Sequence, residues 1–308
     1  MNPELNTTYI TLDGLLAVQK YRYVYFFPLL TVYILILCCN LIIVFLICRH
    51  KSLHEPMYVF IAALLLNAAF FSTNIYPKLL SDILSEKQLI SYSACLFQYF
   101  LFYSLAGSEY LLLSAMAYDR YVSICRPLHY PTIMRKSTVC VLLCLAWIVP
   151  ACLVGVTTTL SSKMKICKWV LNAIFCNNSH YNLHCESSDA RIILVIFGMV
   201  MIALFPVFFI LFTYTRILII SYRSCREVRK KAAHTCLPHL LVLVSFSLLC
   251  TYDVVIVRLG TDLSKLVRLL MTFQAILYHP LFNPIVYGLK MKEISKHLKR
   301  LFCQAKVI

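Results

Sequence analysis

The sequence predicts an all-α membrane protein: a bundle of seven transmembrane helices with a short interfacial helix at the C-terminal end. Three observations predict it. The chain is 61% hydrophobic and only 14% charged, whereas a soluble domain carries about 25% charged residues, so its apolar surface exceeds what one core can hide. The apolar residues fall in runs longer than the ~18 that mark a spanning helix. The Lys and Arg between those runs gather on alternate connections, as they do on the cytoplasmic side of a membrane.

The spans are 25–48, 57–81, 95–125, 137–160, 191–222, 232–257 and 266–289. At about 1.5 Å per residue each crosses roughly 30 Å of hydrocarbon. In lipid each must be helical, because every backbone N–H needs a partner within its own segment. The first opens on aromatic residues around Pro28 and closes before Arg49 and Lys51. The second starts after Pro56 and carries Pro77. The third holds Glu109, the only acid deep within a span, and ends with Asp119 and Arg120. The fourth carries Pro150, the fifth Pro206, the sixth Pro238, and the seventh Pro280 and Pro284. Such prolines are tolerated where neighbours satisfy the freed backbone groups. Beyond the seventh, Met291, Ile294, Leu298 and Leu301 recur at helical spacing with lysines between them. That is the pattern of a short helix lying on anionic lipid. Cys303 at its end is a candidate for palmitoylation.

With the N-terminus outside, seventeen Lys and Arg face the cytoplasm against four acids, Glu55, Asp119, Glu227 and Glu293. The other side carries eleven basic and eight acidic residues. The formal charge of +16 is therefore largely a cytoplasmic collar, facing membrane lipid and a cytosolic partner. It lies in short loops and not on one folded face, which argues against a nucleic-acid partner. Residues 1–24 are then an extracellular N-terminus, 25–289 the seven-span domain, and 290–308 a cytoplasmic interfacial helix and tail. The expected location is the plasma membrane. The first twenty residues lack an apolar stretch behind a basic start, so the first span is expected to act as its own insertion signal. No Ser-His-Asp set, metal signature or phosphate loop appears in its required context, so neither an enzyme nor a cofactor is expected. One deep acid and no internal repeat argue against a transporter.

Most of the fifteen cysteines lie within spans, as small apolar fillers. Cys95, Cys167, Cys176 and Cys185 lie on the oxidising side, and their spacing leaves three pairings open. Asn6 and Asn177 head glycosylation acceptor triplets on that side. His180, His184 and Cys185 share the long loop after span 4. Without an evident fourth ligand they read as polar loop residues around a disulfide cysteine.

Several motifs then stand at span ends. Pro56-Met57-Tyr58 opens span 2. Met116-Ala117-Tyr118-Asp119-Arg120-Tyr121 closes span 3, followed by Cys125-Arg126-Pro127-Leu128-His129-Tyr130. Ser221-Tyr222 closes span 5, and Lys231-Ala232-Ala233-His234-Thr235-Cys236 opens span 6, with Pro238-His239 after it. Pro280-Leu281-Phe282-Asn283-Pro284-Ile285-Val286-Tyr287 closes span 7. In this order they resemble odorant receptors of the rhodopsin-like, G-protein-coupled class, most like those of bony fish. The resemblance covers residues 25–302. It implies a Cys95–Cys176 bridge and a Cys167–Cys185 bridge that folds the loop over a pocket mouth. It also implies a small odorant as ligand, and a heterotrimeric stimulatory G protein of the olfactory type, which raises cAMP. Three positions depart from the pattern: Ala68 stands where an aspartate is usual, Cys39 replaces a glycine, and Ser247 replaces an aromatic residue. An amine receptor of the class would place an acid near Phe102, and none is there. The remaining alternative is a non-olfactory rhodopsin-like receptor for a lipid or peptide.

Chemistry at the inner end follows from cost. A buried, unpaired guanidinium costs several kcal/mol. Asp119 beside Arg120 holds it as an ion pair, and release lets Arg120 extend between spans 3, 5 and 6. Tyr222 and Tyr287 are phenols placed to receive it, and Asn283 beside Pro284 is expected to satisfy the carbonyls the span 7 prolines free. Phe102, Ala106, Glu109, Leu113, Met116 and Arg120 recur on one helix face and join the outer region to the switch. Glu109 is a candidate sodium ligand, with Ser114, Asn283 or Asn67 as further oxygens. The alternative is a protonated acid hydrogen-bonded in the bundle. Candidate pocket residues in the outer half are Phe102, Tyr103, Ala106, Ile210, Ser247, Cys250, Thr251, Phe273 and Ile276. Lys78, Arg258, Lys265 and Arg268 ring the mouth, where they meet lipid headgroups or attract an anionic ligand.

Overall fold

The computed structural model describes residues 9–15, 18–185, 189–222, 237, 240–248 and 265–305. Helix α1 is Val18–Arg49, α2 Pro56–Leu84, α3 Tyr92–Cys125 and α4 Lys136–Ser162. Helix α5 joins Asp189–Met199 to Phe205–Tyr222 through a π-helical stretch, Val200–Leu204. Helix α6 comprises residues 240–248, α7 is Lys265–Lys290 and α8 is Lys292–Ala305. Among the described residues six helices are long and apolar enough to cross a membrane. Of the predicted sixth span, the parts other than residues 237 and 240–248 lie outside the described residues.

The helix starts follow local chemistry. Pro56 occupies the first turn of α2, where its missing N–H costs nothing. Ser91 caps α3, its hydroxyl accepting from the Ala94 N–H at 3.3 Å. Helix α1 begins well before the predicted span start at residue 25 and leaves helical geometry at Tyr21 (φ −118°, ψ 23°). Its extra turns carry Lys20, Tyr21, Arg22 and Tyr23, an interfacial set that a search for apolar runs passes over.

Helix α3 runs through the centre and packs against α2, α4 and α5. Two clusters fill the bundle. The inner one includes Phe60, Leu64, Leu113, Met116 and Tyr287. The outer one includes Ile36, Ile75, Tyr76, Phe102, Phe175 and Ile276. Polar ties fix helix register between them. Asn67 Nδ2 donates to the Leu105 carbonyl at 2.9 Å, and Trp147 Nε1 donates to Asn67 Oδ1 at 3.3 Å. That network joins α2, α3 and α4.

The outer end holds a feature absent from the all-helical expectation. Strands β1 (Tyr9–Leu12), β2 (Leu89–Ser91) and β3 (Val170–Leu171) form a sheet of order β2–β1–β3. Strand β1 is antiparallel to β2 and parallel to β3. Its alternation buries Ile10 and Leu12 and exposes Tyr9 and Thr11, the period of a one-sided strand. Ile10 and Leu12 pack on Ile90, Leu171 and the Cys95–Cys176 pair. An N-terminal segment thus becomes part of the roof.

Candidate functional site

A cavity of about 170 Å³ lies in the outer half between α3, α4, α5 and α7. Phe102, Tyr103 and Ala106 of α3 line it, and Phe175 and Asn178 of the loop after α4 roof it. Among the described residues no charged side chain lines it. The other sequence candidates lie elsewhere. Ile210 is buried below the π-helical stretch, in the inner cluster. Phe273 and Ile276 pack toward α1 and α2 in the outer cluster, and Thr272 and Ala275 face the cavity instead. Phe246 lines it and Ser247 beside it does not. Cys250 and Thr251 lie outside the described residues. The α7 register differs from expectation because α1 and α2 cover one side of that helix, and Phe273 and Ile276 lie on the covered side.

Sequence reasoning missed the α4 wall, Leu153, Val154 and Thr157, and the aromatic residues Phe71, Tyr99 and Tyr110. A signal for the α3 members was present. Tyr99, Phe102, Tyr103, Ala106 and Tyr110 follow helical spacing on one face. Several of their hydroxyls already hold the roof. Tyr103 Oη accepts from the Asn178 N–H at 3.0 Å, and the Tyr99 and Tyr181 hydroxyls lie 2.6 Å apart.

The roof is covalently pinned. Cys95 pairs with Cys176 and Cys167 with Cys185, with Cα separations of 5.3 and 5.0 Å. Gln98 Oε1 accepts from the Cys176 N–H at 2.9 Å. Asn177, an expected glycan site, is 7% exposed, and its Oδ1 accepts from the Ser179 N–H at 3.0 Å. A buried helix cap has no room for a sugar, so that expectation is corrected; Asn6 lies outside the described residues. His180 is buried against the rings of Tyr99 and Tyr181, and His184 Nε2 lies 2.8 Å from Tyr92 Oη. Among the described residues no group of three or more His, Cys, Asp or Glu is placed to hold a metal. At the mouth, Lys78 pairs with the buried Asp82, and Lys265 Nζ lies 2.6 Å from Asp13 Oδ2. These two cations are thus engaged within the chain; Arg258 lies outside the described residues.

At the inner end the latch is closed. Arg120 Nη2 lies 2.5 Å and Nε 3.1 Å from Asp119 Oδ2. Tyr130 Oη donates to Asp119 Oδ1 at 2.8 Å. Tyr130 is a third member that sequence reasoning left without a role. Burial first, and the Asp119 carboxylate second, push its phenol above the usual range, so it keeps its proton and donates. Tyr222 stands 76% exposed at the end of α5, while Tyr287 is fully buried in the inner cluster. In this closed arrangement neither receives the guanidinium.

The prolines of α7 free two carbonyls, each four residues earlier. Pro280 frees that of Ile276, and Pro284 frees that of Pro280. Tyr76 Oη donates to the Ile276 carbonyl at 3.3 Å, and Asn40 Nδ2 to the Pro280 carbonyl at 3.0 Å. The expected role of Asn283 is thus taken by α1 and α2, because Asn283 is turned to α3. Its Nδ2 donates to Glu109 Oε1 at 3.0 Å. Asn67 is committed to Leu105 and Trp147, and Ser114 to the Tyr110 carbonyl. Among the named candidates, then, only the Glu109 carboxylate and the Asn283 amide come together, fewer oxygens than a hard cation takes.

A roofed apolar cavity above an acid–arginine latch, in a bundle of spanning helices, defines a membrane receptor of the G-protein-coupled class. Residues 29–305 match the family described as olfactory receptor, and the chain belongs to that family. It is 34% identical to human olfactory receptor 6B1 over 313 residues, covering 98% of this chain and 97% of the relative. It is 34% identical to the chicken olfactory receptor-like protein COR2 over 302 residues, covering 96% and 95%. With human olfactory receptor 11A1 it shares 31% over 301 residues, covering 96% and 94%. These relatives are mammalian and avian, and the expected likeness to fish receptors finds no support among them. The fold is therefore that of a seven-transmembrane, odorant-sensing receptor, and the chain is not an enzyme.

Proposed function

We propose that a small odorant binds in the outer cavity and releases the Asp119–Arg120 latch, so that the inner face engages a stimulatory G protein of the olfactory type and cAMP rises. The receptor sits in the plasma membrane with its N-terminus outside and its Lys- and Arg-rich loops on cytoplasmic lipid. One observation carries the reading. The α3 face that lines the cavity at Phe102 and Ala106 continues through Glu109, Leu113 and Met116, at 3, 2 and 0% exposure, to the ion pair. Close-packed interiors transmit displacement and do not absorb it. Once Arg120 is released, Tyr222 and Tyr287 are its candidate acceptors, and the hinge at Pro284 beside Asn283 is the element that moves.

The test is Arg120→Ala. Ligand-driven cAMP production is expected to vanish while surface delivery and ligand binding persist. Normal signalling by this variant would refute the latch.

A further inference from the structure

Gly198 lines the cavity from α5, in a helix interior, three residues from Val195 and immediately before Met199 and the π-helical stretch. Glycine at such a place destabilises a helix relative to alanine, so its presence asks for a reason. Close packing is the reason at two other helical positions, Gly107 and Gly288. A Cβ on Gly107 would meet Ile202 Cγ2 at 2.5 Å and Pro150 Cβ at 2.8 Å, so α3, α4 and α5 touch there only because it is glycine. Gly288 would bring a Cβ within 3.3 Å of Leu298. Gly198 is different: among the described residues a Cβ built on it meets nothing within 4 Å. It needs no left-handed backbone either, since it continues a regular helix. What glycine leaves there is space, and the space belongs to the cavity.

We infer that Gly198 is a specificity-determining residue, a notch in the α5 wall that sets the longest neutral ligand the cavity accepts. The inference rests on the cavity being the odorant site. Its neighbours Leu194, Val195, Met199 and Ile202 close the same wall with bulk, so one missing side chain shapes the contour. The π-helical stretch below it shifts the register so that Ile202 and Ala203 also face the cavity. Such insertions occur mostly at functional sites. Among the described residues no charged side chain lines the cavity, which fits a neutral ligand, since an unpaired charge would be desolvated there without compensation.

The test uses purified receptor and two neutral series, straight-chain alcohols from butanol to dodecanol and para-alkyl phenols of matching length. Binding is read as the rise in thermal unfolding midpoint with concentration. Wild type, Gly198→Ala, Gly198→Leu and the control Gly155→Leu are compared. Gly155 has Phe100 at 3.7 Å from its built Cβ and does not line the cavity. The expected result is a cut-off that moves to shorter chains from wild type to Gly198→Ala to Gly198→Leu. Affinity for the members just past each cut-off should fall about 10–200-fold, the discrimination one methylene provides in an apolar pocket, with short members little changed. Gly155→Leu should keep the wild-type cut-off. If wild type binds and Gly198→Leu leaves the cut-off in place, or weakens all lengths equally, the notch is refuted and the cavity reading stands. If no member of either series stabilises wild type, the cavity reading fails and the notch with it.

Discussion

Tyr130 shows how much a single hydroxyl can hold. Asp119 is fully buried, and its two oxygens are divided between Arg120 and the phenol. Removing one partner of a buried carboxylate costs about 1–3 kcal/mol, and here the cost falls on the closed latch. Tyr130→Phe is therefore expected to raise basal cAMP per receptor at the cell surface, by up to about tenfold for each 1.4 kcal/mol, with the maximal response unchanged. Basal output equal to wild type would show that the phenol does not hold the latch. This tyrosine ends the Cys125–Tyr130 motif, but nothing in its spacing from Asp119 reveals the contact, because the connection after α3 folds back through two short turns, Pro127–His129 and Tyr130–Ile133. The donors to the α7 carbonyls were hidden for the same reason. That Pro280 and Pro284 free two carbonyls follows from sequence. That Tyr76 and Asn40 reach them follows only from packing.

Helix α8 is legible as an element but not as a docked one. Its apolar spacing predicts an amphipathic helix, and Ile294 is fully buried, with Met291 and Leu298 against the inner cluster. What sequence does not reveal is that the His297 ring stacks on His50, centroids 4.0 Å apart and 23° between planes. His297 Nε2 also lies 3.4 Å from Ser52 Oγ. Burial, then His50, then Arg300 lower the pKa of His297 below its ordinary value; Glu293 opposes them and Lys296 adds to them. A histidine with a depressed folded pKa binds fewer protons when docked. Its contribution is thus full above the unfolded value of about 6.5 and is lost as pH falls through the lower, docked value. Hydrogen exchange across 292–305, corrected for intrinsic rates, should therefore speed up on going from neutral to mildly acidic buffer. In His297→Gln that acid-dependent part should disappear. Equal acid dependence in both proteins would place the titrating group elsewhere.

For the whole molecule, composition and hydropathy suffice to read a helical bundle because lipid imposes one solution on apolar runs. The roof was illegible for the opposite reason. Its strands are two to four residues long, and each depends on partners far along the chain. The cavity falls between these cases: its α3 wall follows helical spacing, while its α4 and α5 walls depend on which face each helix turns inward. The count of crossings and their direction set which end meets the ligand and which meets the G protein. The proposed orientation, N-terminus outside, rests on seventeen basic residues on one side against eleven on the other, since Lys and Arg in short loops favour the cytoplasmic side. With seven crossings the two ends must lie on opposite sides. An epitope tag at the N-terminus should then stain on intact cells, and one at the C-terminus only after permeabilisation. A sharper form shifts the charge itself. Replacing Arg223, Arg226, Arg229, Lys230 and Lys231 with glutamine weakens the collar between the fifth and sixth spans, and should increase the fraction of molecules with inverted or mixed staining. Staining of both tags on intact cells in the wild type would remove the topology on which ligand entry, latch release and G-protein contact all depend.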